Sequence, residues 1–132
     1  MKFQPGFRLS KLDIMVIVIG IVLSFTLYKD LPVASYMIVF VVGHFFLFCN
    51  VFRLSRIPEL IWAGSFLLLS ISTLLFAYLN WLFVGLISLL ISTILIYLET
   101  KKPDYHGVFW QQLNPELKQW FKENILKAEN HE

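Results

Sequence analysis

Between Gly43 and Glu59 the chain reads GHFFLFCNVFRLSRIPE, and five residues of this stretch could do chemistry in a sequence that offers little of it elsewhere. His44 can hold a proton or a ligand, and Asn50 can donate and accept hydrogen bonds. Arg53 and Arg56 present guanidinium forks that grip phosphate or carboxylate through paired hydrogen bonds, and Glu59 is placed to balance one of them. On a helix advancing 1.5 Å per residue, His44 lies about 13 Å inward of Arg53. It also lies about 120° around the axis from Asn50. The stretch therefore divides into a deep histidine and a mouth set of Asn50, Arg53, Arg56 and Glu59.

Each part has a structural expectation beside the chemical one. For His44 it is an interhelical hydrogen bond to a hydroxyl among Ser24, Thr26, Ser70, Ser72, Thr73, Ser88, Ser92 and Thr93. For Arg53 and Arg56 it is a topology signal, with one of them paired to Glu59. The chemical alternative for the mouth is a cationic pocket that holds a phosphate, a lipid headgroup or a carboxylate. A bis-histidine haem site would need a second histidine at the depth of His44, whereas His106 and His131 both stand in the tail. Cys49 points about 140° away from His44, so the two are not expected to share an ion. As the single cysteine it forms no intrachain disulfide. No metal, no cofactor and no catalytic residue is expected.

These residues must be positioned by elements that live in lipid. Of the 132 residues 58% are hydrophobic and 15% charged, and the mean hydropathy is +0.70, too apolar for a soluble domain of this length. The pattern predicts an all-α integral membrane protein with four transmembrane helices, at about 12–28, 32–52, 58–78 and 81–98. Ser10 or Asp13 can cap the first, and Pro32 suits the first turn of the second. Pro58 and Glu59 suit the start of the third, and Asn80 is the pivot into the fourth. Small residues (Gly20 and Ser24, then Ser70, Thr73 and Ala77, then Gly85, Ser88 and Ser92) make stripes along which helices can approach. A C-terminal amphipathic interfacial helix at about 115–128 follows, with Asn114 as its cap and Leu117, Trp120, Phe121 and Ile125 on one face. Glu99, Thr100, Lys101 and Lys102 return the chain to water before it. The organisation is thus a segment 1–11, a bundle 12–98 and a tail 99–132.

Lysine and arginine set the orientation. Ten of the eleven (Lys2, Arg8, Lys11, Arg53, Arg56, Lys101, Lys102, Lys118, Lys122 and Lys127) fall on one side of the four-span arrangement and Lys29 alone on the other. Both termini are accordingly expected in the cytoplasm, with a bacterial inner membrane as the setting. The net charge of +2 comes from short clusters beside apolar runs, which gives nucleic acid no footprint. The partners expected are the lipid bilayer, a second copy of the chain or another membrane subunit.

In size and hydropathy the chain resembles the small multidrug-resistance transporters. Their coupling carboxylate lies within the first span, and here Asp13 stands only at the mouth of that helix. Three functions remain, in order. The first is an accessory or interaction subunit without catalysis. The second is a transporter or ligand-binding protein with a cavity around His44, Asn50 and Arg53. The third is a membrane enzyme acting on an anionic or lipid substrate at the cytoplasmic interface.

Overall fold

A computed structural model of the chain describes residues 4–76 and 80–129. Among these the only regular structure is helical: α1 (Lys11–Leu27), α2 (Pro32–Phe46), α3 (Arg56–Leu75), α4 (Trp81–Thr100), the single turn α5 (Trp110–Leu113) and α6 (Leu117–Glu129). Three helices are long and apolar enough to cross a membrane, namely Pro32–Phe52, Arg56–Leu75 and Trp81–Thr100. The first of these is α2 prolonged by a π-helical turn, Leu47–Phe52. At 17 residues α1 is about 26 Å long, a little under the hydrocarbon thickness. Large apolar side chains stand outward on every one of these helices, among them Phe25, Val39, Leu74 and Leu82. An exposed apolar surface of this extent suits lipid and not water.

Local chemistry accounts for the helix ends. Ser10 and Asp13 act together, because Asp13 N–H donates to Ser10 Oγ (3.2 Å) while Ser10 N–H donates to Asp13 Oδ2 (2.6 Å). Pro32 opens α2, where its missing N–H costs nothing. Asn80 caps α4 by accepting from Phe83 N–H (2.9 Å). The reversal expected near Tyr78 lies outside the described residues. Helix α3 starts at Arg56, two residues before the expected boundary, which still leaves Pro58 and Glu59 in its first turn.

Two helical hairpins result. In the first, Gly20 is buried with Val42 of α2 immediately over it, and Ser24 and Ser35 clasp each other. Their hydroxyls are 2.7 Å apart, and each also donates to the other's carbonyl, Ser24 to Ser35 (3.1 Å) and Ser35 to Ser24 (2.8 Å). In the second, Trp62 Nε1–H of α3 donates to the Ser88 carbonyl of α4 (3.2 Å). The seam between them is aromatic. Trp62 stacks on Phe66 at 5.3 Å and on His44 at 4.6 Å, and Phe48 meets it edge-on at 5.6 Å. Leu54, Leu95 and Phe48 complete this core with Trp62.

Along α4 the buried face runs Val84, Ser88, Ser92, Leu95 and Glu99. The helix continues to Thr100 and takes Glu99 inside with it. Glu99 is 6% exposed, so the expectation that it brings the chain back to water is corrected. The tail also differs. Helix α6 begins two residues after the expected start, and Asn114 does not cap it with its side chain. Its amide nitrogen instead donates to Pro103 O (2.6 Å) and Tyr105 O (3.2 Å), pinning the loop that follows α4.

Candidate functional site

A polar cleft of about 420 Å³ opens at the end of the bundle where the N-terminal segment, the π-helical turn, the start of α3, the end of α4 and the 104–106 loop meet. Its wall includes Arg8, Asp13, Asn50, Arg53, Arg56, Glu59, Glu99, Asp104, Tyr105 and His106. Three remote pieces of backbone are stitched together to make it. Gly6 N–H donates to His106 O (2.7 Å), Arg8 N–H to Asn50 O (3.1 Å) and Val108 N–H to Val51 O (2.9 Å). Gly107 is what allows the last approach, since a Cβ at that position would run into the Phe52 carbonyl.

The π-helical turn aims the central residues. With its amide nitrogen turned toward the acceptors, Asn50 donates to Arg8 O (2.7 Å) and to Asp13 Oδ2 (2.8 Å) and is fully buried. Arg53 closes the turn in the left-handed conformation (φ 51°, ψ 52°), a position where glycine is usual. Leu54 N–H then reaches back to Phe48 O (2.9 Å), one residue further than in the α-helical version of this ending. The guanidinium of Arg53 donates through Nη1 to Gln4 O and is half-buried. Burial, and secondarily the neighbouring Arg8 guanidinium, pull its pKa below the usual arginine value.

The carboxylates around the cleft are largely occupied. Asp13 is held by Ser10 and Asn50. Glu59 Oε1 accepts the Cys49 thiol proton (3.2 Å). Glu99 Oε1 accepts from Ser55 N–H (3.0 Å), and its other oxygen pairs with Lys102 Nζ at 2.6 Å, while that ammonium also donates to Ser55 Oγ (3.3 Å). Lys102–Glu99 is the one ion pair among the described residues, so the expected pairing of Glu59 with Arg53 or Arg56 does not occur. Glu59 is turned toward Cys49 instead. Tyr105, buried beneath the cleft, donates through its hydroxyl to Val108 O (2.9 Å), and burial raises its pKa. Among the described residues no three His, Cys, Asp or Glu side chains converge to hold a metal ion.

Of the five residues singled out in the sequence, Asn50, Arg53, Arg56 and Glu59 line this cleft and His44 does not. His44 lies in the aromatic seam, stacked on Trp62 and in ring contact with Phe40 at 4.2 Å. Its Nδ1 meets the Phe40 carbonyl one turn back on its own helix (2.8 Å), which replaces the expected hydroxyl partner. The hydroxyls are engaged elsewhere or alone. Thr26, Ser72, Thr73, Ser92 and Thr93 donate to carbonyls three or four residues earlier, Ser24 joins Ser35, and Ser70 and Ser88 hydroxyls have no partner among the described residues.

The sequence reading missed Arg8, Asp13, Glu99 and Tyr105 as cleft residues. Glu99 carried a signal, because it extends by helical steps the stripe of Ser88 and Ser92. Arg8 carried none, since its place depends on contacts with residues some forty positions away. Fold and site together define a helical protein with three membrane-compatible helices and an arginine-bearing cleft at one end of them. Comparison with protein-family models, with curated proteins and with solved structures finds no match for the chain.

Proposed function

We propose that this chain is a four-span membrane protein that binds an anionic headgroup, without catalysis, in the cleft between Arg8, Arg53 and Arg56. The observation that carries this is an imbalance of satisfaction within one cavity. Three arginines line it and none has a carboxylate partner among the described residues, whereas three of the four carboxylates that line it, Asp13, Glu59 and Glu99, are taken up by structural hydrogen bonds and Asp104 is not. Guanidinium groups in that state offer paired donors to phosphate or carboxylate oxygens, and each charge-assisted bond contributes about 1.5–3 kcal/mol. The left-handed Arg53 adds weight. A β-carbon at such a backbone costs about 1–2 kcal/mol, and glycine would avoid it, so the side chain has a use there.

The fourth span is α1, apolar over nearly its whole length and packed along α2 through Gly20 and the Ser24–Ser35 clasp. Main-chain bonds gather the basic N-terminal segment, the Arg53 turn and the Lys101–Lys102 end of α4 at one end, in keeping with both termini in the cytoplasm of a bacterial inner membrane. At that end α6, with Trp120 and Phe121 near lysines, suits the interfacial layer of the bilayer.

The decisive variant is Arg53→Gly, titrated with dihexanoyl phosphatidate in maltoside micelles. Affinity should fall at least tenfold while stability falls by no more than about 3 kcal/mol, because relief of the left-handed strain offsets the extra freedom of glycine in the unfolded chain and the bond to Gln4 O is lost. Equal affinity in the glycine variant would end the proposal. A second reading, an accessory subunit that docks a partner helix or a second copy, is favoured by Gly64 and Gly85. A methyl added at either would meet nothing within 4 Å among the described residues, which leaves small-residue faces open to another molecule. Gly85→Leu should then break a crosslinked complex and leave headgroup binding intact.

A further inference from the structure

The segment from Gln4 to Ser10 is neither helix nor strand, and it contributes Arg8 and Ser10 to the wall of the cleft. It lies across that end of the bundle like a strap. Four contacts to its main chain hold it: Gly6 N–H on His106 O (2.7 Å), Arg8 N–H on Asn50 O (3.1 Å), the Asn50 amide on Arg8 O (2.7 Å) and the Arg53 guanidinium on Gln4 O. Gly6 turns with φ +96°, a backbone that other residues rarely adopt. Beyond the strap the chain is anchored by the Ser10–Asp13 cap of α1.

Charge opposes this closure. Arg8 belongs to the strap and Arg53 to the end of the π-helical turn, and neither has a carboxylate within ion-pair distance among the described residues. Both guanidinium groups border the same cleft, where their like charges repel while Asp13, on the same wall, attracts Arg8. An anion seated between them turns one repulsion into two attractions. Phosphate is the group best suited, because its several oxygens accept from two guanidinium forks at once.

We propose that a phosphate group bridging Arg8 and Arg53 clamps the strap shut, so that the strap is a ligand-responsive cover of the cleft. This rests on the anion-binding reading above and adds to it a moving part and a role for Arg8. A segment outside the helices, tied by a few bonds to its main chain, opens locally, and its amides exchange hydrogen each time it does. A ligand that binds only the closed form lowers the open population by a factor of 1 + [L]/Kd, about a hundredfold at a ligand concentration of 100 Kd.

The test is hydrogen exchange at the Gly6 and Arg8 amides of the full-length protein in maltoside micelles, which carry no phosphate of their own. Dihexanoyl phosphatidate is added in one arm and inorganic phosphate in the other, both at matched ionic strength, with binding followed by calorimetry. Slowing of both amides by about a hundredfold at saturation supports the clamp, and the arm that achieves it at lower concentration names the source as lipid or soluble. In Arg8→Gln the residual binding through Arg53 and Arg56 should be about tenfold weaker and bring no slowing even at saturation. Binding by the wild-type protein with unchanged exchange would overturn the clamp and leave the anion site standing. Absence of binding in both arms would overturn the site and the clamp together.

Discussion

His44 and Asn50 stand six residues apart on one continuous helical segment, both buried, and the chain satisfies them by different means. For His44 everything needed is close at hand, a carbonyl one turn back and a tryptophan ring from the facing helix. Asn50 is held by Arg8 and Asp13, about forty residues earlier, and its own carbonyl accepts from the first of them. A polar group completed by its own turn and an aromatic stack is a packing element. One completed by three separate pieces of chain, beside a cavity lined by three arginines, belongs to the wall of the cleft. Depth along the helix thus does not bring His44 to the cleft, because the deeper residue packs into the aromatic seam.

Substitutions can break or sharpen that contrast. Trp62→Ala removes the ring shared by His44, Phe48 and Phe66 and should cost about 3–5 kcal/mol in denaturant unfolding, with affinity for dihexanoyl phosphatidate unchanged. A parallel loss of affinity would mean that seam and cleft form a single unit. Smaller, at about 1–3 kcal/mol, is the cost of Asn50→Leu, which leaves Arg8 O without its donor and Asp13 Oδ2 with Ser10 N–H alone. Exchange at the Arg8 amide should quicken in the same variant, and if it does not, Asn50 is not what ties the strap. The mildest is His44→Phe, which keeps a ring against Trp62 and gives up only the bond to Phe40 O. Its expected cost is below about 1 kcal/mol, with binding intact, and a large loss of binding would return His44 to the site.

What the residues announced was local. Pro32, Asn80 and the Ser10–Asp13 pair marked helix starts because capping chemistry is read within four positions. The apolar runs marked the long helices because lipid imposes length and composition directly. The cleft was legible only as far as Asn50, Arg53, Arg56 and Glu59, which one turn of helix and its successor carry to the same mouth. Nothing in LFCNVF signals a π-helical turn, and that wider turn shifts the direction of every residue after Leu47 relative to an α-helical count. Nor does any local pattern tell that Glu99 closes onto Ser55, or that Gly107 comes up under Phe52. Those facts belong to tertiary contacts made where the polar chain ends meet, and hydropathy is silent about them.

The bond from Gly6 to His106 has a consequence for biosynthesis. It joins residues a hundred positions apart, so at a synthesis rate of about 5–20 residues per second the N-terminal segment waits roughly 5–20 s for its acceptor to be made. Through that interval the apolar helices can enter the bilayer one after another, while the cleft has no third wall. A ribosome stalled before residue 106 would carry a nascent chain with its lipid-compatible helices already synthesised and its cleft unfinished, so the cleft is among the last features of the described fold to form.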